Sequence, residues 1–170
     1  MGPFNPFMFP YINSMGTQPN LMVNRQGERF VDEEAFLVNP HGCLAINDQP
    51  GREAWMIFND EIVDYYIKHG YDFIEGYGIR KMKIQDRPTG FAEDIEKAKG
   101  HPVPVIFRAD TIGELAVQMG LPVDALTRTW EDYNRFCETG RDADFGKRVK
   151  YLRHLRSGPF YAVRAKMILG

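Results

Sequence analysis

The sequence predicts a single domain of the α+β class, and three observations support this. Strand-like and helix-like segments follow each other without the regular strand–helix–strand alternation of a doubly wound sheet. The chain has 170 residues, which is long enough to bury one hydrophobic core. Hydrophobic residues make up 44% and charged residues 26%, as in an ordinary globular protein.

Residues 1–20 are unusual because they contain no charged side chain and combine prolines with aromatic residues. The prolines and the lack of a basic start exclude a secretory signal. We expect an extended segment whose aromatic surface contacts other protein. The sequence leaves open whether that protein is the core of this chain or a further domain.

A β-hairpin is predicted next, with strands at residues 21–23 and 29–31. Residues 24–27 between them form a tight turn, in which Gly27 supplies a positive φ. Residues 38–53 are rich in proline, glycine and asparagine and predict a loop, with one short strand at residues 43–46.

Residues 54–58 form a short apolar run typical of a buried strand. A helix is predicted to follow, with Asn59 as its N-cap and Gly70 directly after its last residue, His69. A second, short helix is predicted at residues 91–99, and the rest of residues 71–105 is predicted to be irregular.

The second half of the chain predicts a pair of helices and a final strand. Thr111 and Glu114 have the spacing of a capping box, which opens a helix that ends at Met119 before Gly120. Pro122 opens the next helix, which ends at Gly140 and carries one apolar stripe typical of core packing: Leu126, Trp130, Tyr133 and Cys137. Residues 158–163 predict a turn and a strand.

Several functional classes are disfavoured by charge and spacing. The net charge of −2 argues against a nucleic-acid-coating protein, and the basic residues of 147–156 predict a solvated face. No apolar run is long enough to span a membrane. The histidines and the two cysteines lack metal-ligand spacing, and the glycines at 76 and 78 lack the rest of a dinucleotide-binding motif.

Arg29 and Glu33 are the polar pair of interest that remains. On one strand they would share a face but lie ~13 Å apart, so direct pairing requires the strand to end or bend between them. From the residues alone, the sequence identifies no active site.

Two blocks of the sequence resemble the fumarate reductase/succinate dehydrogenase flavoprotein family. Residues 21–33, LMVNRQGERFVDE, are similar to the family's VN-x-x-G-x-RF-x-x-E motif. Residues 108–162 contain, in order, pieces similar to ADT-x-x-ELA, GLP, YN, G-x-D-x-x-FG and PFYA. Together the blocks cover somewhat under half of the chain.

This resemblance implies that residues 21–170 form a capping domain, the lid over the flavin and substrate of a larger FAD-dependent oxidoreductase. It implies a fragment, because the glycine-rich FAD-binding turn is missing and the chain stops at Gly170, where relatives continue. Residues 1–20 are then expected to pack on the missing FAD-binding domain. The partners expected are that domain and a small-molecule substrate, with FAD in the parent protein and no turnover by this chain alone.

The resemblance also suggests site residues. Arg29 and Glu33 are the candidates for the polar contribution of the lid, and Lys166 and Gly170 lie where relatives approach the flavin. Members that reduce fumarate carry an arginine proton donor four residues beyond the glutamate, but this chain has Leu37 there. Leu37 cannot donate a proton, so the substrate and the proton donor stay open.

A different class of function also stays open: a stand-alone α+β module that binds a ligand or a protein partner. Nucleic-acid binding through the basic run is a third possibility, which steep salt dependence would reveal. The low cysteine content and the lack of a signal favour a cytoplasmic location.

Overall fold

A computed structural model describes residues 8–37, 41–72 and 87–166. In these residues, four strands form one sheet: β1 (Leu21–Val23), β2 (Glu53–Asn59), β3 (Ile106–Ala109) and β4 (Phe160–Lys166). Six helices surround it: α1 (Pro10–Met15), α2 (His41–Asn47), α3 (Asp60–His69), α4 (Phe91–Ala98), α5 (Ile112–Met119) and α6 (Val123–Thr139). The predicted α+β class is confirmed.

The sheet has the order β1-β2-β4-β3, and all its described pairings are antiparallel. β2 and β4 are central, and every residue of β2 is buried. Phe91 of α4 packs on one face of the sheet, against Phe58 and Tyr161. Trp130 of α6 contacts Phe160 on the opposite face. The core therefore lies in two layers, one on each side of the sheet.

The predicted hairpin is wrong in its second strand. Its turn is present, since Gly27 has a φ of 75° and donates its N–H to the carbonyl of Asn24 at 3.0 Å. However, β1 pairs with β2, about thirty residues further on. The N–H of Met22, on the side of β1 that faces away from β2, donates to the carboxylate of Glu33 at 3.1 Å. Residues 29–31 therefore have no free edge of β1 with which to pair.

The short strand predicted at residues 43–46 is also wrong, because these residues lie in α2. Gly42 and Ile46 are buried four residues apart, which is the spacing of one helical face. A Cβ at Gly42 would lie 2.3 Å from the ring of Phe36, so the glycine permits close approach of this helix. The edge strand β3, of only four residues, was not predicted from the sequence.

The predictions of the longer helices and of the buried strands are confirmed. Asn59 caps α3 by accepting the N–H of Ile62 at 3.1 Å. The capping box of Thr111 and Glu114 opens α5. Leu126 and Tyr133 of the predicted stripe are buried, and Trp130 and Cys137 pack against the core. Each of these caps and apolar patterns involves residues close together in the sequence, which explains why it could be predicted from the sequence.

The predicted extended conformation of residues 1–20 is wrong for the part described, because Pro10–Met15 form α1. Ile12 and Met15 are fully buried in this chain's own core. The carboxylate of Asp94 in α4 accepts the N–H groups of Tyr11 at 2.8 Å and Ile12 at 3.3 Å. Residues 1–7 lie outside the described residues, and packing on a further domain stays a prediction.

None of the six described helices combines the length and the apolar character that a membrane span requires.

Removing the carboxylate of Asp94 is expected to lower the free energy of unfolding by about 1–2 kcal/mol, because two amides of α1 lose a buried acceptor. Urea unfolding of Asp94→Ala measures this. Glu93→Ala, at the exposed neighbouring position, is the control and should change stability by less than about 0.5 kcal/mol. Equal effects of the two variants would show that the hydrogen bonds from α1 to the carboxylate of Asp94 do not contribute to stability.

Candidate functional site

Arg29 and Glu33 are brought together by the structure. The chain leaves β1 through the turn and enters a 3₁₀ turn at Glu33–Leu37, so the two residues are not on one strand. Arg29 Nε donates to Glu33 Oε1 at 3.0 Å, and Nη2 donates to Oε2 at 2.8 Å. The two side chains form a bidentate pair, which is the strongest geometry of an arginine–carboxylate contact.

Asp142 and Lys147 extend this pair into a buried cluster. Arg29 also donates to both carboxylate oxygens of Asp142, at 3.0 and 2.9 Å. Lys147 Nζ lies 3.3 Å from Glu33 Oε2 and donates to the hydroxyl of Tyr133 at 3.1 Å. The side chain of Arg29 is 3% exposed, and those of Glu33, Asp142 and Lys147 are fully buried. We call these four residues and Tyr133 the ion cluster.

The loop after α6 is shaped by Asp142 as well. Its Oδ1 accepts the N–H of Asp144 at 3.1 Å, and its Oδ2 accepts the N–H of Lys147 at 3.1 Å. One carboxylate therefore folds the loop back on itself and holds the guanidinium of Arg29. The loop and the 3₁₀ turn are fixed relative to each other through these bonds.

A second ion pair lies beside the cluster, nearer the surface. Glu34 accepts from the N–H of Arg148 at 2.7 Å and from its Nε at 2.5 Å. Neighbouring residues 33 and 34 thus bind neighbouring residues 147 and 148. Because Arg148 is largely exposed, we assign the outer pair a small contribution to stability compared with the ion cluster.

The electrostatics keep the cluster charged. Burial alone would raise the pKa of Asp142, but the hydrogen bonds and charge of Arg29 outweigh burial and lower that pKa to about 2. Burial would likewise lower the pKa of Lys147, yet the charge of Glu33 raises it. Burial opposes ionisation of Arg29 too, but the hydrogen bond to Asp142 and the charge of Glu33 raise its pKa. Burial raises the pKa of Tyr133, whose hydroxyl stays protonated.

The arrangement leaves little free capacity for acid–base chemistry. The carboxylate of Glu33 accepts from Arg29, Lys147 and the N–H of Met22, which fills its roughly four acceptor positions. Arg29 forms part of the wall of a cavity of about 190 Å³, lined by Glu28, Arg29, Thr129, Asp132, Phe136 and Asp144. The guanidinium of Arg29 already donates four hydrogen bonds to the carboxylates of Glu33 and Asp142. It therefore contributes only a buried surface to the wall of this cavity.

The other predicted site residues are placed less fully. Leu37 ends the 3₁₀ turn and is partly buried. Lys166 is the last residue of β4, opposite Glu53 in the register, and its side chain lies outside the described part. Gly170 lies outside the described residues altogether. Among the described residues, no group of three or more His, Cys, Asp and Glu side chains could hold a metal ion.

Sequence reasoning missed Asp142, Tyr133 and Lys147 as members of the site. Asp142 and Tyr133 stand in the second block of the family resemblance, so that motif was the available signal. Lys147 carried no signal, because the basic run predicted a solvated face for it. In that run, Arg148 binds Glu34 and Arg153 binds Asp72, so with Lys147 three of its five cations form ion pairs with described carboxylates.

No protein-family model matches this chain. It is 34% identical over 146 residues to a vinyl phenol reductase of Lactiplantibacillus plantarum, which covers 86% of this chain and 29% of the relative. It is 32% identical over 180 residues to a 3-oxosteroid 1-dehydrogenase of Mycolicibacterium smegmatis, which covers 93% of this chain and 27% of the relative. The chain therefore spans less than a third of the length of these relatives.

Two solved structures resemble it as well. An open conformation of a flavocytochrome c3 fumarate reductase is 26% identical, with a TM-score of 0.59 over 90% of this chain and 22% of that one. A solution structure from the fumarate reductase flavoprotein subunit of Lactobacillus plantarum is 25% identical, with a TM-score of 0.60. That match covers 92% of this chain and 89% of the solved one. This chain is a capping domain of the fumarate reductase flavoprotein family.

The capping domain has the ion cluster at the junction of both blocks that resemble the family. The solution structure is of nearly the same extent, so a comparable capping domain folds without the remainder of its protein. We therefore expect the 170-residue chain to fold on its own.

Lys147→Met is expected to lower the free energy of unfolding by about 3–5 kcal/mol, because it removes one partner from a buried charge network. Lys150→Met is the matched control at an exposed position three residues away, with an expected effect below about 1 kcal/mol. Chemical unfolding followed by circular dichroism gives both values. A loss under 1 kcal/mol for Lys147→Met would contradict a network that depends on all its members.

Asp142 predicts a specific acid sensitivity. Its folded pKa of about 2 is below the ordinary value of 3.8, so its stabilising effect is complete above pH 4 and is lost as the pH falls towards 2. The size of this effect is about 2 kcal/mol. The stability difference between the natural chain and Asp142→Asn should therefore shrink by about that amount between pH 5 and pH 2. A difference that is constant with pH, measured by urea unfolding, would exclude this role.

Proposed function

We propose that this capping domain covers the substrate of a larger FAD-dependent oxidoreductase, which passes a hydride between the flavin and an activated carbon–carbon bond. The observation that carries the proposal is that reductases and a dehydrogenase share this domain as less than a third of their length. Their names describe opposite directions of one reaction type, the addition or removal of hydrogen at such a bond.

The described residues of the capping domain do not form a dinucleotide site. All strand pairings are antiparallel, and no described strand leads through a glycine-rich turn into a helix that could hold a pyrophosphate. In this proposal, FAD is held by a separate FAD-binding domain of the same polypeptide and supplies the hydride chemistry. The capping domain then contributes shape, exclusion of water and orientation.

The ion cluster gives the capping domain a rigid wall for this task. Arg29 and Glu33 fix the 3₁₀ turn on the loop that follows α6, and their polar atoms are already bonded to each other. We therefore assign them a positioning role and not proton transfer. A lid that excludes water has to keep its shape when it closes, and a buried charge network without free partners provides that rigidity.

Leu37 supports a neutral unsaturated substrate in preference to fumarate. A dicarboxylate needs cationic partners and a proton donor, and an aliphatic side chain offers neither. A vinyl phenol, the substrate named for the relative with 34% identity, is uncharged and partly aromatic. We propose a substrate of that chemical class for the parent of this chain.

A chimera tests the proposal. The matching segment of the vinyl phenol reductase is replaced with residues 8–166 of this chain, and FAD content and substrate reduction are measured. We expect bound FAD, reduction of 4-vinylphenol and no measurable reduction of fumarate. A chimera that folds and binds FAD but reduces fumarate would contradict the substrate assignment. One that reduces neither compound would contradict the capping role.

The isolated 170-residue chain is the control, with added FAD and an electron donor. It should give no turnover with either substrate, because its described residues form no dinucleotide site. Flavin-dependent reduction by this chain alone would show that it is a complete enzyme.

A further inference from the structure

A second cluster of charges lies at the end of the sheet where β2 begins and β4 ends. The carboxylate of Glu53 is 2% exposed and binds two arginines at once. Arg25 Nε donates to Oε1 at 2.6 Å, and Arg164 Nε donates to Oε2 at 3.1 Å, with a further bond from its Nη2. This cluster is built from three separate parts of the sequence and takes no part in the ion cluster.

The arginines have donor capacity to spare. Arg25 is 52% and Arg164 is 31% exposed, and Glu53 occupies only one edge of each guanidinium. Arg52 is adjacent to Glu53, is exposed, and forms no ion pair with a described residue. Asp48 forms no ion pair with the three arginines either. Two cations therefore share one carboxylate, and a third, exposed cation directly precedes it in the chain.

The backbone at this position is adapted to the arginines. Gly51 has a φ of 73°, and a Cβ there would lie 2.9 Å from Arg25 Nε. Arg52 has a φ of 52°, and it is the one described residue other than glycine with a positive φ. A bulky residue in the left-handed region is disfavoured, so its presence here marks a position held by its surroundings.

We propose that Arg25, Arg52 and Arg164 form an oxyanion-binding site, which takes a phosphate or carboxylate group of a ligand. A guanidinium presents parallel N–H donors that match two oxygens of such a group. Glu53 orients two of the three before the ligand arrives, which reduces the entropy lost on binding. This site does not rest on the proposed function, because it involves neither the flavin nor the ion cluster.

The test is a titration of the ¹⁵N-labelled 170-residue chain with inorganic phosphate and, separately, with succinate, at an ionic strength held constant with chloride. We expect saturable shifts of the side-chain Nε–H signals of Arg25 and Arg164. Saturation by phosphate alone assigns the ligand to phosphate esters, and saturation by succinate alone assigns it to carboxylates. No saturable shift with either anion overturns the proposal.

Two variants separate a built site from general positive charge. Arg52→Gly removes a charge where glycine accepts the left-handed φ, so stability should not fall while the dissociation constant rises about tenfold. Arg141→Gln, which alters an exposed arginine outside this site, should leave binding unchanged; equal weakening by both variants overturns the proposal.

Glu53→Gln provides the sharpest distinction. It makes the surface more positive, so non-specific attraction predicts tighter binding, whereas loss of orientation predicts weaker binding. Weaker binding by a variant with a native spectrum supports the site, and tighter binding overturns it.

Discussion

The capping domain depends most on the carboxylate of Glu33. It accepts from Arg29, from Lys147 and from the backbone N–H of Met22, so one side chain joins a strand, a turn and a distant loop. The unpaired edge of a strand has to be covered, and at the outer edge of β1 the carboxylate of Glu33 does this in place of another strand. Since the carboxylate is fully buried, loss of either cationic partner, Arg29 or Lys147, leaves an uncompensated charge in the interior.

The same contact explains which parts of the fold could be read from the sequence. The helix starts at Asn59 and Thr111 were predictable, because each cap forms within three residues of itself. The partner of β1 was not, because the choice between a neighbouring segment and β2 depends on Glu33 covering the outer edge. Along an assumed straight strand, Arg29 and Glu33 would share a face but lie ~13 Å apart, whereas the bent chain pairs them.

The candidate site was predictable only in part for a related reason. Arg29 and Glu33 were singled out from the sequence, but Lys147 was expected in a solvated face and is fully buried. Its partner lies 114 residues earlier in the chain, and no local pattern reports such a distance. The helix α1 was missed for the same reason, because the residue that caps it, Asp94, lies more than eighty residues away in the chain.

The residues that carry the family resemblance are the residues that hold the segments together. Thr129 donates to the carbonyl of Gly27 at 2.7 Å, and Asn134 accepts the N–H of Leu155 at 2.8 Å. A resemblance built on such contacts identifies the fold of the capping domain, but the polar groups that carry it are bonded within the chain. Under the proposed function, we infer that substrate choice is encoded at positions outside this framework, such as Leu37 at the end of the 3₁₀ turn.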